Sequence, residues 1–490
     1  MNPRKTFLLL LLLAALSLFI YRHELPDDVV KRESATLLKG AKTAQLESIE
    51  ISGTAGSFSL KNLAVQSGES DEDLDAVSVP RWELADLPGS ELDMGKLNSL
   101  LSSIDGFTRG TSLPAAELET DKTVYGLEKP ELTVKFKFAK GETRVSFGKK
   151  NAYLSKRYAE ISDSGDLFMV AEDLFKAANA PRDQFRDATP LDLTEYDLSS
   201  LTVDGPDGRI LMERDADKGW RLREPYAAQV SQTAVSEYVR SLRTLSAVSF
   251  VDGISDKLAE YGLETPLLKV VAAFSADSKK PALDIRLASS TKPASEEGEA
   301  EGMFLYVSGK PSFYEIGGKP MSGLQRAAEW FREKKLFQFM TESAVQLDLE
   351  RGPLRLSLVK SGSDWKVNGK EADASKISSL LDGLSELEAS GFPVSNHDFG
   401  FAAPELKLVV RTGGEAGKTR DYTLTIGGAV SGADIGHGEY YAAVGDLSEP
   451  FIISDESFKS LSFDEAGLLK PAVPAADAPD SEVSEAQVQH

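Results

Sequence analysis

The chain has 490 residues, of which 41% are hydrophobic, so it is long enough for about three globular domains of roughly 150 residues each. Its 77 acidic and 55 basic residues give a net charge of −22, which argues against nucleic-acid binding because that requires a surplus of Lys and Arg. The sequence contains no cysteine, which excludes disulfides, thiolate nucleophiles, Cys-ligated zinc and a lipidated N-terminal Cys.

The N-terminus has the pattern of an export segment. Residues 1–5 are short and basic, and residues 7–21 are apolar except for Ser17. As a helix this run would span roughly 22 Å, less than the roughly 30 Å hydrocarbon core, so a cleaved signal peptide is one alternative. The small-x-small site Ala15-Leu16-Ser17 lies inside the apolar run, which favours an uncleaved anchor. We therefore predict a cytoplasmic stub and transmembrane signal anchor over 1–24, with the body outside the cytoplasmic membrane.

After a polar connector over 25–46, one motif is repeated three times, an aromatic residue and a glycine followed after three residues by a proline. The prolines are 136 and 138 residues apart (266 − 130 and 404 − 266), so the repeating unit has the length of a domain rather than of a solenoid turn. An alternating apolar run follows each proline, which indicates a strand. The three motifs are Tyr125-Gly126 with Pro130, Tyr261-Gly262 with Pro266, and Phe399-Gly400 with Pro404.

Two further features follow the same register. Trp82, Trp220 and Trp365 each open a short strand 48, 46 and 39 residues before the respective proline. Between tryptophan and proline each copy has apolar residues spaced by three and four, which indicates a helix. We therefore predict three tandem homologous units at 47–187, 188–340 and 341–470, followed by a disordered acidic tail over 471–490.

Each unit is predicted to be α+β, an antiparallel β-meander with one or two packed helices. In the first unit, strands at 131–138 and 143–147 should be joined by a four-residue hairpin loop, Ala139–Glu142. The second unit should close with a helix from Leu324 to Phe337. The acidic run Ser67–Asp73 and the insertion Ser289–Glu301 are predicted to be solvated loops.

The motifs that could indicate a catalytic or ligand-binding site match their known patterns only weakly. Gly413–Thr419 resembles a phosphate-binding loop, but it is one residue short and lies between two predicted strands, whereas such a loop must open a helix. Asp215–Gly219 resembles a calcium loop and Ser357 with Lys360 a Ser-x-x-Lys pair, and both fall where a hairpin or strand is expected. The histidines at 23, 397, 437 and 490 are too few for a His-based metal site, and His397 is predicted to be a surface or loop histidine.

The repeated aromatic residues allow two interpretations. Tyr125, Tyr261, Phe399 and the three tryptophans could form ligand platforms, but recurrence in one register is explained more simply by packing. We predict no catalytic, cofactor-binding or metal-binding residues, no cofactor, and a structural role for these twelve motif residues: Trp82, Tyr125, Gly126, Pro130, Trp220, Tyr261, Gly262, Pro266, Trp365, Phe399, Gly400 and Pro404.

The motif, its alternating strand and a second strand ending in glycine resemble the bacterial family called domain of unknown function 4340. The second strands end at Phe147-Gly148 and Ile426-Gly427 in this pattern, whereas the second copy has Leu287-Ala288. The family's Arg-rich closing segment resembles Arg182–Arg186 and Arg332–Leu336. The resemblance implies a membrane-anchored envelope protein associated with ABC transporter components of the gliding-motility type.

These observations lead to the expectation of a non-catalytic binding or scaffold protein, single-pass in the bacterial inner membrane with its C-terminal body in the periplasm. Its partners would be the membrane, through the N-terminal helix, and transporter subunits, with no nucleic acid. Two alternatives remain open. One is an envelope glycan hydrolase using paired carboxylates in a cleft between units, and the other is a receptor for a soluble ligand.

Overall fold

The structure, a computed structural model, describes residues 43–66, 81–113, 122–139, 141–162, 166–215, 219–253, 257–289, 303–317, 319–394, 397–413, 418–436, 438–445 and 449–470. The predicted anchor, the predicted tail, the acidic run Ser67–Asp73 and most of the insertion Ser289–Glu301 lie outside these residues. Of the helices that are described, none has the length and apolar character needed to cross a bilayer.

The described residues form antiparallel sheets with a few helices, which confirms the α+β prediction. The strands are β1 Leu46–Gly53, β2 Gly56–Asn62, β3 Trp82–Leu84, β4 Thr111–Ser112, β5 Leu132–Phe138, β6 Gly141–Lys150, β7 Arg157–Ile161, β8 Leu167–Val170, β9 Leu198–Gly205, β10 Gly208–Asp215, β11 Gly219–Glu224, β12 Ala228–Gln229, β13 Ala247–Asp252, β14 Leu268–Phe274, β15 Leu283–Ser289, β16 Met303–Val307, β17 Ser312–Ile316, β18 Ala344–Arg351, β19 Leu354–Ser361, β20 Asp364–Val367, β21 Lys370–Glu371, β22 Leu406–Gly413, β23 Thr419–Ala429, β24 Tyr440–Val444 and β25 Phe451–Ile453. The helices are α1 Leu63–Gln66, α2 Met94–Asp105, α3 Asp173–Ala178, α4 Gln232–Arg243, α5 Met321–Leu324, α6 Ala328–Phe331, α7 Ala374–Ser385, α8 Asp455–Ser460 and α9 Glu465–Leu468.

The chain falls into two compact units. One contains the described residues up to Arg209 together with Glu237–Gln325, and the other contains Ile210–Ser236 and the described residues from Arg326 onward. The division into 47–187, 188–340 and 341–470 stays a prediction.

The first sheet, in the first unit, has the strand order β3-β2-β1-β5-β6-β7-β8-β4. Alternation along strands such as β5 and β7 places every second side chain in one core, as expected for a half-buried antiparallel sheet. One buried row runs across five neighbouring strands, through Phe58, Ile51, Val134, Val145 and Ile161.

Helix α2 covers the core side of this sheet. Its N-cap Asp93 accepts a hydrogen bond from the Lys96 amide at 3.0 Å, which satisfies one of the free N–H groups at the helix start. Leu97, Leu100 and Ile104, at spacings of three and four, are 1%, 0% and 0% exposed. Burying each of these side chains contributes roughly 1.5–3 kcal/mol of transfer free energy, so the helix is held mainly by its apolar face.

Strands β9 and β13 to β17, in the first compact unit, are called the second sheet. In the first unit the order is β9-β14-β15-β16-β17-β13, with a buried row Val203, Val270, Ile285 and Val307. In the second unit β10, β11 and β12 pair as an antiparallel ribbon, with Asp215 opposite Gly219. That pairing identifies the calcium-loop-like stretch as the connection of a hairpin, although residues 216–218 are not described.

The third sheet, in the second unit, has the order β21-β20-β19-β18-β22-β23-β24-β25. A buried row again crosses five strands, through Leu356, Leu349, Leu408, Leu424 and Val444. The phosphate-loop-like stretch connects β22 to β23, which pair out to Gly413 opposite Thr419, so it does not open a helix.

In each of the three copies, a backbone hydrogen bond joins the start of the main helix to the end of the copy. The residue that precedes each main helix donates its N–H to a carbonyl near the end of the copy: Asp93 to Phe185 at 3.0 Å, Ser231 to Phe331 at 2.8 Å and Asp373 to Leu468 at 2.9 Å. The neighbouring residues form isolated β-bridges, Leu92 with Arg186, Val230 with Arg332 and Ala372 with Leu469.

Two local predictions are wrong. The expected helix Leu324–Phe337 is replaced by the single turns α5 and α6, because Arg332 and Glu333 pair their backbone with Val230 and Gln229 in extended conformation. The expected hairpin loop Ala139–Glu142 is shorter, since Phe138 pairs with Gly141 and both Gly141 and Glu142 belong to β6.

Candidate functional site

The repeated aromatic-glycine motif forms a tight turn in each copy. Gly126, Gly262 and Gly400 have φ angles of +73°, +69° and +79°, a region that favours glycine. In the first two copies the following leucine is buried, and its N–H closes the turn, from Leu127 to the Lys122 carbonyl at 3.1 Å and from Leu263 to the Leu258 carbonyl at 2.8 Å. The glycine is therefore required by the backbone.

The glycine at the end of the second strand of the motif is required for a different reason. A Cβ atom at Gly148 would lie 2.1 Å from the Tyr125 carbonyl oxygen, and one at Gly427 would lie 2.0 Å from the Phe399 carbonyl oxygen. The turn thus packs its backbone directly on the second strand. The second copy has Ala288 at this place, and a Cβ built on Gly262 would stand 3.5 Å from that of Ala288.

The motif's aromatic rings pack at the margin of the sheets. Tyr125 meets Tyr158 at 5.1 Å, Tyr261 meets Phe304 at 4.7 Å, and Phe399 meets Tyr441 at 4.9 Å between ring centroids, each steeply inclined. The motif rings are half-buried, whereas Trp82, Trp220 and Trp365 are 6%, 1% and 7% exposed. All three motif rings therefore make packing contacts, and the three tryptophans expose little surface.

Arg186, at the end of the first copy, makes side-chain contacts with residues of the second sheet. Arg186, with a side chain 4% exposed, stacks its guanidinium 3.8 Å from the Phe250 ring centroid. It donates hydrogen bonds to Asp252 at 3.0 Å and to the Ser312 hydroxyl at 2.6 Å, while Arg182 also reaches Asp252 at 3.0 Å.

These contacts set the charge state of Asp252. Burial opposes its ionisation, but the hydrogen bond from Ser312 and the guanidinium groups of Arg186 and Arg182 outweigh burial, so the pKa of Asp252 lies below its usual value. This cluster, an arginine stacked on a phenylalanine and paired with a carboxylate, is called the arginine clasp below.

A second arginine clasp lies in the second unit. Arg332 stacks 3.6 Å from the Phe392 ring centroid and donates to Glu449 at 3.2 Å. Phe250 and Phe392 each lie seven residues after the end of the preceding helix, at Arg243 and Ser385. The third copy has Leu469 at the position of the two arginines.

The second clasp lines a surface groove of about 800 Å³. The Tyr226 hydroxyl donates to Glu329 at 2.8 Å, and burial, followed by this hydrogen bond, raises the pKa of Tyr226 above its usual value. Trp330 lies beside the pair, its ring under the Arg326 guanidinium at 4.9 Å. The groove, called the aromatic groove below, is lined by Tyr226, Ala227, Glu329, Trp330, Arg332, Lys334, Ser390, Gly391, Phe392, Pro393, Val394, Phe399, Glu449 and Pro450.

Beside the groove, Asp434 and Tyr441 form a buried polar cluster. Asp434 is 0% exposed and accepts hydrogen bonds from the Val394 amide at 2.7 Å and the Tyr441 hydroxyl at 3.0 Å. The exposed His397 ring lies 2.9 Å from the same hydroxyl and packs on Phe399. His397 is therefore at the surface, as predicted, but it belongs to an ordered contact with the repeated motif.

Comparison with sequence families gives one match, made twice. The sequence model of the family described as domain of unknown function (DUF4340) matches residues 82–266 and again residues 220–398, together about two-thirds of the chain. The chain belongs to the DUF4340 family. The two matches begin at Trp82 and Trp220, 138 residues apart, the same interval as that between the second and third motif prolines. Neither curated proteins nor solved structures give a match to the chain.

The family assignment brings no catalytic residue with it. In the part of this DUF4340 chain that the structure describes, no group of three or more His, Asp or Glu side chains could hold a metal ion. Ser357 and Lys360, the Ser-x-x-Lys pair, bond different partners: Ser357 donates to Asp348 at 2.6 Å and Lys360 to the Glu342 carbonyl at 3.3 Å. The described residues therefore give this pair no shared site.

Of the residues that line the aromatic groove of this DUF4340 chain, the sequence analysis named Phe399 as a motif residue and Arg332 as part of the family's closing segment, and it missed most of the others. Trp330 precedes Phe331, so its counterparts in the other copies are Gln184 and Gly467. The chain's fourth tryptophan is thus an aromatic residue at a repeated position where the other copies have none. That departure from the repeat was the available signal, whereas the Tyr226–Glu329 contact spans 103 residues and no sequence spacing indicates it.

Proposed function

We propose that this DUF4340 protein is a non-catalytic binding and scaffold protein of the bacterial inner membrane, made of three tandem homologous units. It would be held by the N-terminal anchor with its body in the periplasm, as an accessory to an ABC-type transport complex. The resemblance to the family motivates the transporter, and the arginine clasps and the aromatic groove motivate the scaffold.

The copying of one unit is supported by contacts that recur in register. The same five-strand buried row occurs in the first and third sheets, and the same backbone bond closes all three copies. In each compact unit an arginine clasp adds a link that stays within that unit, at Arg186 in one and at Arg332 in the other. Such contacts suit the display of binding surfaces, because they hold the strands and loops of each compact unit in place.

The aromatic groove is the surface that we assign to the partner. Tryptophan, tyrosine and arginine dominate the energetic centres of protein interfaces, and the groove presents Trp330, Tyr226 and Arg332 together. Its two carboxylates already accept hydrogen bonds from neighbouring side chains, Glu329 from Tyr226 and Glu449 from Arg332. A partner would meet a preorganised surface and lose less entropy on binding.

Copurification tests this proposal with a matched pair of variants. Val394 lines the groove and is 65% exposed, whereas Val248 is 69% exposed and lies outside it, so lysine at either place should leave the fold intact. The expected result is that the chain solubilised in mild detergent recovers transporter subunits, that Val394→Lys loses them, and that Val248→Lys retains them. Recovery of the wild-type chain alone, or full recovery by Val394→Lys, contradicts the proposal.

The absence of cysteine provides an independent test of location. Tyr196 is 78% exposed, so Tyr196→Cys supplies one accessible thiol. A membrane-impermeant maleimide should label it in cells whose outer membrane is permeabilised and whose inner membrane is intact. Labelling that requires disruption of the inner membrane would place the body in the cytoplasm and remove the periplasmic assignment.

The groove also carries the second candidate function, an envelope glycan hydrolase, because it combines two carboxylates with aromatic side chains. Purified chain that cleaves envelope glycans, and loses that activity in both Glu329→Gln and Glu449→Gln, would favour this function over the scaffold. The third alternative, a receptor for a soluble ligand, would show a ligand-dependent rise in melting temperature that Val394→Lys abolishes.

A further inference from the structure

One end of the first sheet differs from the rest of this acidic chain. The motif turn 122–129 lies against residues 149–156, which comprise the end of β6 and the loop from β6 to β7. The Lys149 amide donates to the Tyr125 carbonyl at 2.8 Å, and its ammonium reaches the Thr123 carbonyl at 3.3 Å. These two segments are called the basic tip.

The basic tip holds its most exposed apolar side chains in a fixed turn. Tyr153 is 97% exposed, and Leu154 and Val124 are each 47% exposed. The Asn151 side chain accepts from the amides of Tyr153 and Leu154 at 2.9 and 3.0 Å and donates to the Tyr158 hydroxyl at 2.9 Å. The exposed Tyr and Leu are therefore presented on an ordered turn, and little further ordering is needed for them to enter an apolar phase.

The charge of the basic tip is opposite to that of the chain. Residues 122–129 and 149–156 contain five lysines and one glutamate, a net charge of +4, in a chain of −22. The corresponding segments of the second copy, 258–265 and 289–302, contain one basic and six acidic residues, a net of −5. Those of the third copy, 396–403 and 428–439, contain three acidic residues and no Lys or Arg, a net of −3.

Part of this positive charge has no carboxylate partner. Lys122 pairs with Glu160 at 3.0 Å and Lys150 with Glu172 at 2.7 Å. Within the described ranges, the tip's other lysines, Lys129, Lys149 and Lys156, form no ion pair with a carboxylate.

We propose that the basic tip rests on the surface of an anionic lipid bilayer, with Tyr153 and Leu154 in the interface and the lysines against the phosphate headgroups. Tyrosine is enriched at membrane interfaces, where its ring meets the acyl boundary and its hydroxyl the headgroups. Lysines near an anionic surface add electrostatic attraction that weakens as salt rises. The proposal rests on the membrane location proposed above, since the first sheet directly follows the anchor and connector.

The third copy supplies the matched control. Its loop between the second and third strands also presents an apolar side chain, Ile435 at 70% exposure, but carries no lysine. An apolar loop alone would serve a protein partner in both copies, whereas a bilayer should select the loop with positive charge.

The test uses the full chain in nanodiscs of phosphatidylcholine, with or without phosphatidylglycerol, and with nitroxide lipids as quenchers. Because the chain has no cysteine, Ala152→Cys places a single fluorophore beside Tyr153 and Ile435→Cys places one on the control loop. We expect quenching at position 152 that grows with phosphatidylglycerol and falls at high salt, and no quenching at 435. Lys149→Glu/Lys156→Glu should reduce the quenching at 152 at least about tenfold, because each lysine contributes roughly a fivefold factor.

Equal quenching at 152 and 435, or quenching at 152 that is unchanged in pure phosphatidylcholine or by the charge reversal, overturns the proposal. Coelution of the chain with nanodiscs tests membrane insertion of the anchor separately from the basic tip. Recovery of transporter subunits tests the scaffold function. If the chain does not enter nanodiscs, the same labelled chain is mixed with phosphatidylglycerol vesicles. Quenching at 152 there supports the tip without the anchor, and its absence refutes the tip.

Discussion

Replacing Arg186 with leucine, the residue that the third copy has at this position, should loosen the second sheet at β13. The substitution removes hydrogen bonds to Asp252 at 3.0 Å, to Asp183 at 3.3 Å and to Ser312 at 2.6 Å. It also removes the stack on Phe250. Leucine keeps an apolar stem in place, so the change isolates the guanidinium.

The size of the destabilisation depends on the contacts that Asp252 keeps after the substitution. Removing one partner of a buried ion pair costs about 3–5 kcal/mol when the other charge is left uncompensated. Here Arg182 still reaches Asp252 at 3.0 Å, and the Asp252 side chain is 35% exposed, so solvent reduces that figure. Together with a lost cation–π contact of about 1 kcal/mol, we expect a destabilisation of about 2–3 kcal/mol.

Hydrogen exchange measured by mass spectrometry gives the local readout. Strand β13 pairs with β17 from Ala247 to Asp252, so its amides report opening of this edge. A loss of 2–3 kcal/mol corresponds to exchange roughly 30- to 150-fold faster there. The third sheet should exchange at the wild-type rate, because the clasp of Arg332 is intact.

Arg355 provides the control. It pairs with Glu350 at 3.1 Å, but both side chains are more than half exposed, so Arg355→Leu should change stability by less than about 0.5 kcal/mol. If Arg186→Leu accelerates exchange at β13 less than threefold, or no more than Arg355→Leu accelerates it in the third sheet, the reasoning about the clasp is refuted.

Two further variants test the motif turn and the charge of the clasp. Gly148→Ala should lower the melting temperature markedly, since its Cβ would lie 2.1 Å from the Tyr125 carbonyl oxygen. Gly383→Ala is the control: it lies in helix α7 with no atom within 4 Å of the added carbon, and it should raise stability by about 0.5–1 kcal/mol. Equal effects of the two substitutions would contradict the packing argument. Because the pKa of Asp252 is lowered in the folded state, its stabilisation is complete above its unfolded pKa of about 4 and is lost as the pH falls through the lower folded value. Acid titration of unfolding should therefore show a smaller loss of stability below pH 4 in Asp252→Asn than in the wild type, and identical acid profiles would show that Asp252 is not linked to folding.

The antiparallel sheets and the main helices could be predicted because their causes are local. Leu97, Leu100 and Ile104 recur at helical spacing, and the alternating run after Pro130 forms β5. The helix expected from Leu324 to Phe337 failed for the opposite reason. Its apolar spacing is helical, but the backbone of Arg332 bonds Val230 about a hundred residues earlier, and this distant pairing outweighs local preference.

The candidate site was largely beyond sequence reasoning. Arg186 and Phe250 lie 64 residues apart, and Tyr226 and Glu329 are 103 apart, so no periodicity within one element relates them. The repeated motif drew attention to Tyr125, whose ring packs on Tyr158, and to Phe399, which lines the groove. Trp330, which also lines the groove, is not repeated. An aromatic residue that only one copy carries is therefore a signal that the repeated motif does not give.

The arginine clasp has a polarity that bears on how the units could associate. The cation closes one copy, and its phenylalanine and carboxylate come from the next, as with Arg186, Phe250 and Asp252. Such a joint is head-to-tail and is not self-complementary, so between separate copies it would build rings or open filaments rather than twofold dimers. A single copy released from the chain would expose an unfilled donor at one end and an unfilled acceptor at the other. It should then associate head-to-tail with further copies, an outcome that joining the copies covalently in one polypeptide prevents.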